Sequence, residues 1–267
     1  MRSATSSALQ APDAIRDRLR GRRPAVFLDF DGTLAPIVDR PADAAIDAET
    51  RAAVARLARR CPVAVVSGRD LPDVAARVAL DELYYAGSHG FDIAGPRGLR
   101  HVHPDGVRAV PALDAAEKML RDALRGIDGV LVERKRFSLA VHVRLVRDDA
   151  AVAAVERAVD RALRQHHSLR KGLGKKVFDL QPDIAWDKGA AVLWLLRALG
   201  FDGPDVLPVY LGDDLTDEDA FRALAGRGLG IAVLDQDRPT AADYRLDDPA
   251  QVRLLLGRLA DALEAPR

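Results

Sequence analysis

An uninterrupted apolar run, Ala25 to Leu28, ends in two aspartates one residue apart, Asp29 and Asp31, within the segment FLDFDGT. A run without polar alternation is the pattern of a strand buried on both faces, as in parallel sheets. Acids placed directly after it emerge at the C-terminal edge of the sheet, where open α/β sheets bind ligands. Gly32 and Thr33 follow and suit a turn that brings backbone N–H groups close to an anion. Two carboxylates this close repel each other unless a cation or a proton shares the site. The segment therefore asks for a metal ion and offers a carboxylate nucleophile.

The rest of the chain repeats this grammar. PVAVVSG reads as a second buried strand, and a third lies near LYYAGSHG. Helical spacing over Asp47–Arg60 and Leu71–Val78 separates them. This alternation predicts a doubly wound, Rossmann-like α/β core with a parallel sheet. The pattern changes between about 108 and 181. There, a helix over 110–126 precedes VLVERK and FSLAVHVRLV, which alternate with period two as half-buried antiparallel strands do. A second helix, capped by Asp148 or Asp149, and the short strand KKVFDLQP complete an expected inserted α+β domain. Afterwards Asp187 caps KGAAVLWLLRAL, VLPVYLGDD reads as a strand ending in acids, and GLGIAVL as a last core strand before a closing helix over 250–263. The expected division is a tail with a short helix over 1–23, a core over 24–107 and 182–267, and the insert over 108–181. Residues 1 to about 10 are expected to be disordered.

Composition narrows the function classes. At 267 residues the chain can bury a large core. Forty acidic and forty basic side chains cancel, so no global field draws nucleic acid or an anionic membrane. The single cysteine, Cys61, excludes an internal disulfide framework, and no segment reads as a membrane span or a secretory leader. A cytoplasmic location is the expectation. Thirty-four of the basic residues are Arg and six are Lys; four of the six are Lys135, Lys175, Lys176 and Lys188, all in segments that matter below.

A second acidic cluster, GDDLTDEDAF, places Asp213, Asp214 and Asp217 at another strand end. Together with Asp29 and Asp31 these could hold a hard cation such as Mg²⁺; taken alone, the cluster also fits a helix N-terminus with acids near its dipole. Ser67, after the second strand, could donate to a phosphoryl oxygen, although Ser-Gly is ordinary turn chemistry. Lys188 sits in the first turn of a helix, which the dipole disfavours, so a role outside helix stability is expected: neutralising phosphate charge. In this order, DxDGT, Ser, Lys and GDDxxD resemble the haloacid dehalogenase-like phosphatases. DFDGTLAPI, SGRDL, YYAGSHGFDI, ERKRFSLAVHVR, the DKG stretch and GDDLTDEDAF further resemble the trehalose-6-phosphate phosphatase family over most of residues 25–235.

The resemblance implies a two-step phosphoryl transfer in which Asp29 is the nucleophile and Asp31 the acid and base. It implies that Asp29, the backbone carbonyl of Asp31 and Asp213 hold Mg²⁺, with Asp214 and Asp217 in or near that shell. Ser67 and Lys188 would fix the phosphoryl group, with Thr33, Gly68 and Arg69 beside the substrate. The insert would act as a cap that contacts the sugar of trehalose 6-phosphate through Glu133, Lys135, Arg144, Lys175 and Asp179. Glu133 and Lys135 share a strand face, and so do Lys175 and Asp179; a solvated face with cross-strand ion pairs is the plain alternative. His89 fits either a substrate-side hydrogen bonder or a satisfied core histidine. Where the family has a glutamate followed two residues later by Arg-Pro, this chain has Asp179 and Gln181, and the shorter acid implies a longer or water-mediated sugar contact. The resemblance also implies functional association with a trehalose-phosphate synthase. Rival readings are a related phosphatase for sucrose 6-phosphate or glucosylglycerol phosphate, and a catalytically silent sugar-phosphate-binding regulator. A phosphomutase would need a second phosphate site, and no further basic cluster marks one.

Overall fold

The computed structural model describes residues 6–174 and 176–264, and divides the chain into two compact units. One comprises the residues up to His101 and from Trp186 onward; the other is Val102–Ala185. In the first unit, β1 (Arg23–Leu28) lies at the centre of an eight-stranded sheet. It pairs in parallel with β2 (Val63–Val66) on one side and with β10 (Val206–Gly212) on the other. Beyond these, β3 (Tyr84–Gly87) extends the parallel set on the β2 side, and β11 (Leu229–Val233) and β12 (Tyr244–Leu246) on the β10 side. Strand order therefore reverses at β1, the kind of switch point at which a doubly wound sheet opens a crevice beyond its carboxyl ends.

Alternate residues of each strand supply two layers of core. Val26, Leu28, Val63, Val65, Val209 and Leu211 pack on one side, against α2 (Ala48–Ala58), α3 (Leu71–Val78) and α8 (Pro249–Glu264). Ala25, Phe27, Val66 and Tyr210 pack on the other, against α6 (Lys188–Ala198) and α7 (Asp217–Leu224). Helix starts follow local chemistry. The Asp47 carboxylate accepts from the Thr50 N–H at 2.6 Å and caps α2, and Asp187 accepts from the Ala190 N–H at 2.8 Å and caps α6. Cys61 is buried behind α2, and burial pushes its thiol up to about 12. Iodoacetamide at pH 8 should therefore leave the native protein unmodified for hours and label it stoichiometrically in urea, since only about one thiol in 10⁴ is ionised in the folded state. Rapid native labelling, read by mass spectrometry, would contradict this packing.

Several expectations are corrected. Residues 6–10 are ordered: Ala8 is buried in the core, the Ser6 carbonyl accepts from the Arg245 N–H, and Ser7 bridges to Arg245. Helix α1 (Pro12–Leu19) is tied down by Arg18, which donates to the Gly228 carbonyl at 2.8 Å, so this segment belongs to the first unit. Two short strands, β4 (Asp92–Gly95) and β5 (Leu99–Val102), add an antiparallel edge that the sequence pattern does not announce. Asp92 and Ile93 of β4 are buried, and the two strands are joined by a turn in which Arg97 and Gly98 take left-handed conformations.

The second unit is an antiparallel sheet of four strands in the order β6 (Leu131–Arg134), β7 (Leu139–His142), β9 (Val177–Pro182) and β8 (Leu169–Gly174). Helices α4 (Pro104–Ala123) and α5 (Asp149–Gln165) cover one face, meeting Val132, Leu139, Val141, Leu169 and Leu180. Strand β8 was not expected, because LRKGLG carries two glycines and two charges and lacks a strand's apolar pattern. The unit starts before residue 108 because α4 begins at Pro104, with His103 as its cap, and runs on through Pro111. Proline suits a first helical turn, so the earlier start is locally sound.

Candidate active site

Backbone pairing brings the two acidic segments together. Leu28 of β1 is in register with Leu211 of β10, and the Asp29 N–H donates to the Leu211 carbonyl at 2.9 Å. Asp29 and Asp213 therefore emerge side by side at adjacent strand ends, although they are far apart in sequence. Lys188, the first residue of α6, reaches into this edge. Its Nζ donates to Asp29 Oδ1 and to Asp217 Oδ1, both at 2.7 Å. All three side chains are buried. Burial disfavours the Lys188 charge, but Asp217 and Asp29 outweigh it and hold the ammonium well above its ordinary pKa. Burial, followed by the neighbouring Asp217 and Asp213, pushes Asp29 well above the usual carboxylate range despite the opposing pull of Lys188. A proton or a second cation is thus favoured at Asp29.

The carboxylates of Asp29, Asp213 and Asp217 offer oxygens that all lie within 4.8 Å of one another. Two glycines make this approach possible. Gly32 has φ +84° and its backbone lies against the Asp213 carboxylate, where any Cβ would collide with it. Gly212 faces the Asp217 carboxylate in the same way. Asp217 is the least available of the three as a ligand. Its Oδ1 accepts from both Lys188 and the Tyr210 hydroxyl, the latter at 2.6 Å, and its Oδ2 accepts from the Asp214 N–H at 2.9 Å. It acts as a brace for Lys188 and for the loop after β10. The Asp214 backbone N–H holds Asp217, and its side chain is not among the three clustered acids. Oxygen donors, close spacing and an acid that burial leaves in need of positive charge fit a hard divalent cation.

The Asp31 carboxylate is not one of the three clustered acids. It receives Arg69 in a two-pronged contact, Nε to Oδ2 at 2.7 Å and Nη2 to Oδ1 at 2.8 Å. Arg69 also donates to the Pro41 carbonyl and to Asp73, and lies over the Phe30 ring. Its guanidinium is buried and holds Asp31. Ser67 is buried at the end of β2, and its Oγ accepts from the Arg69 N–H at 3.2 Å, leaving the hydroxyl hydrogen to donate. Thr33 is buried, and its Oγ1 has no hydrogen-bond partner among the described residues. His89 is only half-buried, has a left-handed backbone and packs its ring on Gly68, so it is not a core histidine.

In the second unit, Glu133 pairs with Ala140, which in turn pairs with Asp179, itself opposite Gly172. Cross-strand neighbours share a face, so the acids Glu133 and Asp179 alternate with the small residues Ala140 and Gly172 on the face opposite the helices. Glu133 Oε2 meets His142 Nε2 at 2.7 Å, and Asp179 Oδ2 accepts from Gln181 Nε2 at 2.6 Å. Lys135 follows β6, its N–H donating to the Ser138 carbonyl, and Arg144 follows β7, half-buried. Lys175 lies outside the described residues.

The sequence profile of the trehalose-phosphatase family matches residues 27–250. A trehalose-phosphate phosphatase of Mycolicibacterium paratuberculosis is 48% identical over 270 residues, covering 96% of this chain and 68% of that protein. The chain belongs to the trehalose-phosphatase family. Among solved structures, the C-terminal domain of Candida albicans trehalose-6-phosphate phosphatase is similar, with TM-score 0.81 at 21% identity over 98% of this chain and 99% of that one. The C-terminal domain of the Candida albicans trehalose synthase regulatory protein is similar too, with TM-score 0.75 at 12% identity over 96% of this chain and 99% of that one. The shared fold therefore does not separate a catalyst from a regulator. Family membership makes this chain a phosphatase, and its site adds residues that motif reading passed over. Tyr210 looked like a core strand residue, yet its hydroxyl fixes Asp217. Glu218, buried, pairs with Arg238, which donates to the Asp213 carbonyl at 3.1 Å. Only an unexplained acid in TDED hinted at the second.

Proposed function

We propose that this trehalose-phosphatase family member hydrolyses trehalose 6-phosphate to trehalose and phosphate, with Asp29 as the attacking group. The observation that carries the chemistry is Lys188, a buried cation 2.7 Å from both Asp29 and Asp217 at the meeting of two strand ends. The name of the relative at 48% identity supports the substrate. An oxygen of Asp29 bonds to phosphorus, the bond from phosphorus to the sugar oxygen breaks, and that oxygen takes a proton from Asp31. Water then attacks the phosphoryl-aspartate, gives its proton to Asp31, and frees Asp29 and phosphate. Lys188 offsets phosphoryl charge, and Thr33 and Ser67 donate to its oxygens, since such transfers need positioning and charge stabilisation above all. Asp29, Asp213 and the Asp31 carbonyl would hold Mg²⁺. When bound, the ion supplies further positive charge to the phosphoryl oxygens and keeps Asp29 ionised.

We assign sugar recognition to the unit Val102–Ala185, acting as a cap through Glu133, Lys135, Arg144 and Asp179. A row of hydrogen-bonding side chains flanked by small residues suits a polyhydroxylated ligand, because unmatched buried polar groups reject sugars that lack the right hydroxyl. A cytoplasmic location suits a chain whose one cysteine is a buried free thiol. Among the described residues no helix is long and apolar enough to cross a membrane. The test is phosphate release from a panel of sugar phosphates with Mg²⁺ and with EDTA. Release from trehalose 6-phosphate that far exceeds the others and stops in EDTA is expected. Faster turnover of sucrose 6-phosphate or glucosylglycerol phosphate would overturn the substrate, and full activity in EDTA would overturn the metal.

A further inference from the structure

Asp31 is the end of a chain of charges that runs away from the site along α3. Arg69, which grips both Asp31 oxygens, donates from Nη1 to Asp73 Oδ2 at 2.8 Å. The other Asp73 oxygen, Oδ1, accepts from Arg77 Nε at 2.8 Å. The two arginines also bind the segment that follows the DFDGT turn: Arg69 donates to the Pro41 carbonyl at 2.7 Å, and Arg77 to the Ala42 carbonyl at 3.1 Å and the Ala44 carbonyl. One carboxylate on α3 thus orients two guanidiniums: Arg77, one helical turn on at a spacing where helical side chains meet, and Arg69, which reaches it from the loop just before the helix. An arginine head sits on a long, rotamer-rich stem, so without Asp73 the Arg69 head has one anchor fewer and Asp31 inherits the looseness.

We propose that Asp73 is a positioning residue for the phosphatase reaction: through Arg69 it sets where the Asp31 carboxyl sits, and with Arg77 it holds the 41–44 segment in place. This rests on the reading of Asp31 as the proton donor to the leaving sugar oxygen. That role gives a signature which a merely structural role lacks. A sugar alkoxide leaves phosphorus poorly without the Asp31 proton, whereas nitrophenolate is stable as an anion at neutral pH and leaves unaided. kcat/KM covers events up to the first irreversible step, formation of phosphoryl-Asp29, so it excludes the later use of Asp31 as base.

The experiment compares kcat/KM for trehalose 6-phosphate and p-nitrophenyl phosphate in wild type, Asp73→Ala, Asp31→Asn and the double variant. Asp73→Ala should lower the value for the sugar ester by about 10- to 100-fold, the scale of a catalytic group misplaced by an ångström, and change that for the aryl ester less than about twofold. Asp31→Asn should show the same selectivity with a larger loss, and adding Asp73→Ala to it should cost nothing more, since the two act on one group. Equal losses on both esters, no loss on either, or full additivity in the double variant overturns the proposal. Asp73→Asn, of the same shape, replaces Asp73→Ala if circular dichroism shows the latter unfolded. If wild type ignores trehalose 6-phosphate but cleaves another sugar phosphate, the substrate reading fails, and the same comparison run on that ester decides this one.

Discussion

Asp29→Asn is expected to lower phosphate release from trehalose 6-phosphate by roughly 10⁴-fold or more, because the attacking oxygen is replaced by an amide that does not form a stable phosphoryl bond. The same change should make the metal-free protein more stable. Asp29 is a buried carboxylate beside two others, and its pKa is raised by burial and by Asp217 and Asp213. An amide of the same shape keeps an acceptor for Lys188 and carries no charge, so the repulsion among the three acids falls. Activity and stability therefore move in opposite directions, as happens where a site is built at the expense of the fold. Thermal melts in EDTA and single-turnover assays on the same preparation read both. Residual turnover above about 1% of wild type would mean that water attacks phosphorus directly, and the two-step route would fall.

What could be read in the sequence follows how local the physics is. The strands beneath the site were legible because a buried parallel strand must be apolar throughout, and AVFL and VLPVYLG meet that condition over their whole length. The caps Asp148 and Asp187 were legible because a cap bonds within three residues of itself. The strands β4, β8 and β12 were not: their short, polar or glycine-bearing segments are held by neighbours that a local window does not contain. The same limit applies to the site. Asp29, Lys188 and Asp213 stood out by residue type, but the partner of Asp31 depends on how α3 packs, so the Arg69 contact was invisible. Glu133 and Asp179 were each marked, whereas their alignment across Ala140 is a matter of register. Tyr210 was hidden for the opposite reason, since an aromatic ring in an apolar strand gives no sign that its hydroxyl is at work.

Lys188→Met should be the most destabilising change at the site, and its cost should depend on pH. The ammonium is shared by Asp29 and Asp217, so removing it leaves two buried carboxylates facing each other with their common partner gone. Breaking a buried pair in this way costs about 3–5 kcal/mol, against little or nothing for swapping a whole pair for apolar groups. In the variant Asp29, whose pKa burial already raises, would lose the opposing pull of Lys188 and bind its proton more tightly folded than unfolded. Between the unfolded and the folded pKa the native state then holds more protons, and stability falls as pH rises. The deficit should be small near pH 5 and large near pH 8 in EDTA. Wild type provides the contrast: its Lys188 pKa is raised above an ordinary 10.5, so the contribution of this group is complete below that value and is lost only as pH climbs through the folded pKa. Differences between the two proteins at pH 5–8 therefore report Asp29. Mg²⁺ should recover part of the loss at pH 8, because it competes with the proton for Asp29, yet turnover should remain down by about 10²–10³-fold without a fixed cation on the phosphoryl oxygens. Urea melts at both pH values, with and without Mg²⁺, decide the matter: a deficit equal at pH 5 and pH 8 would show that Lys188 packs there without pairing the two carboxylates.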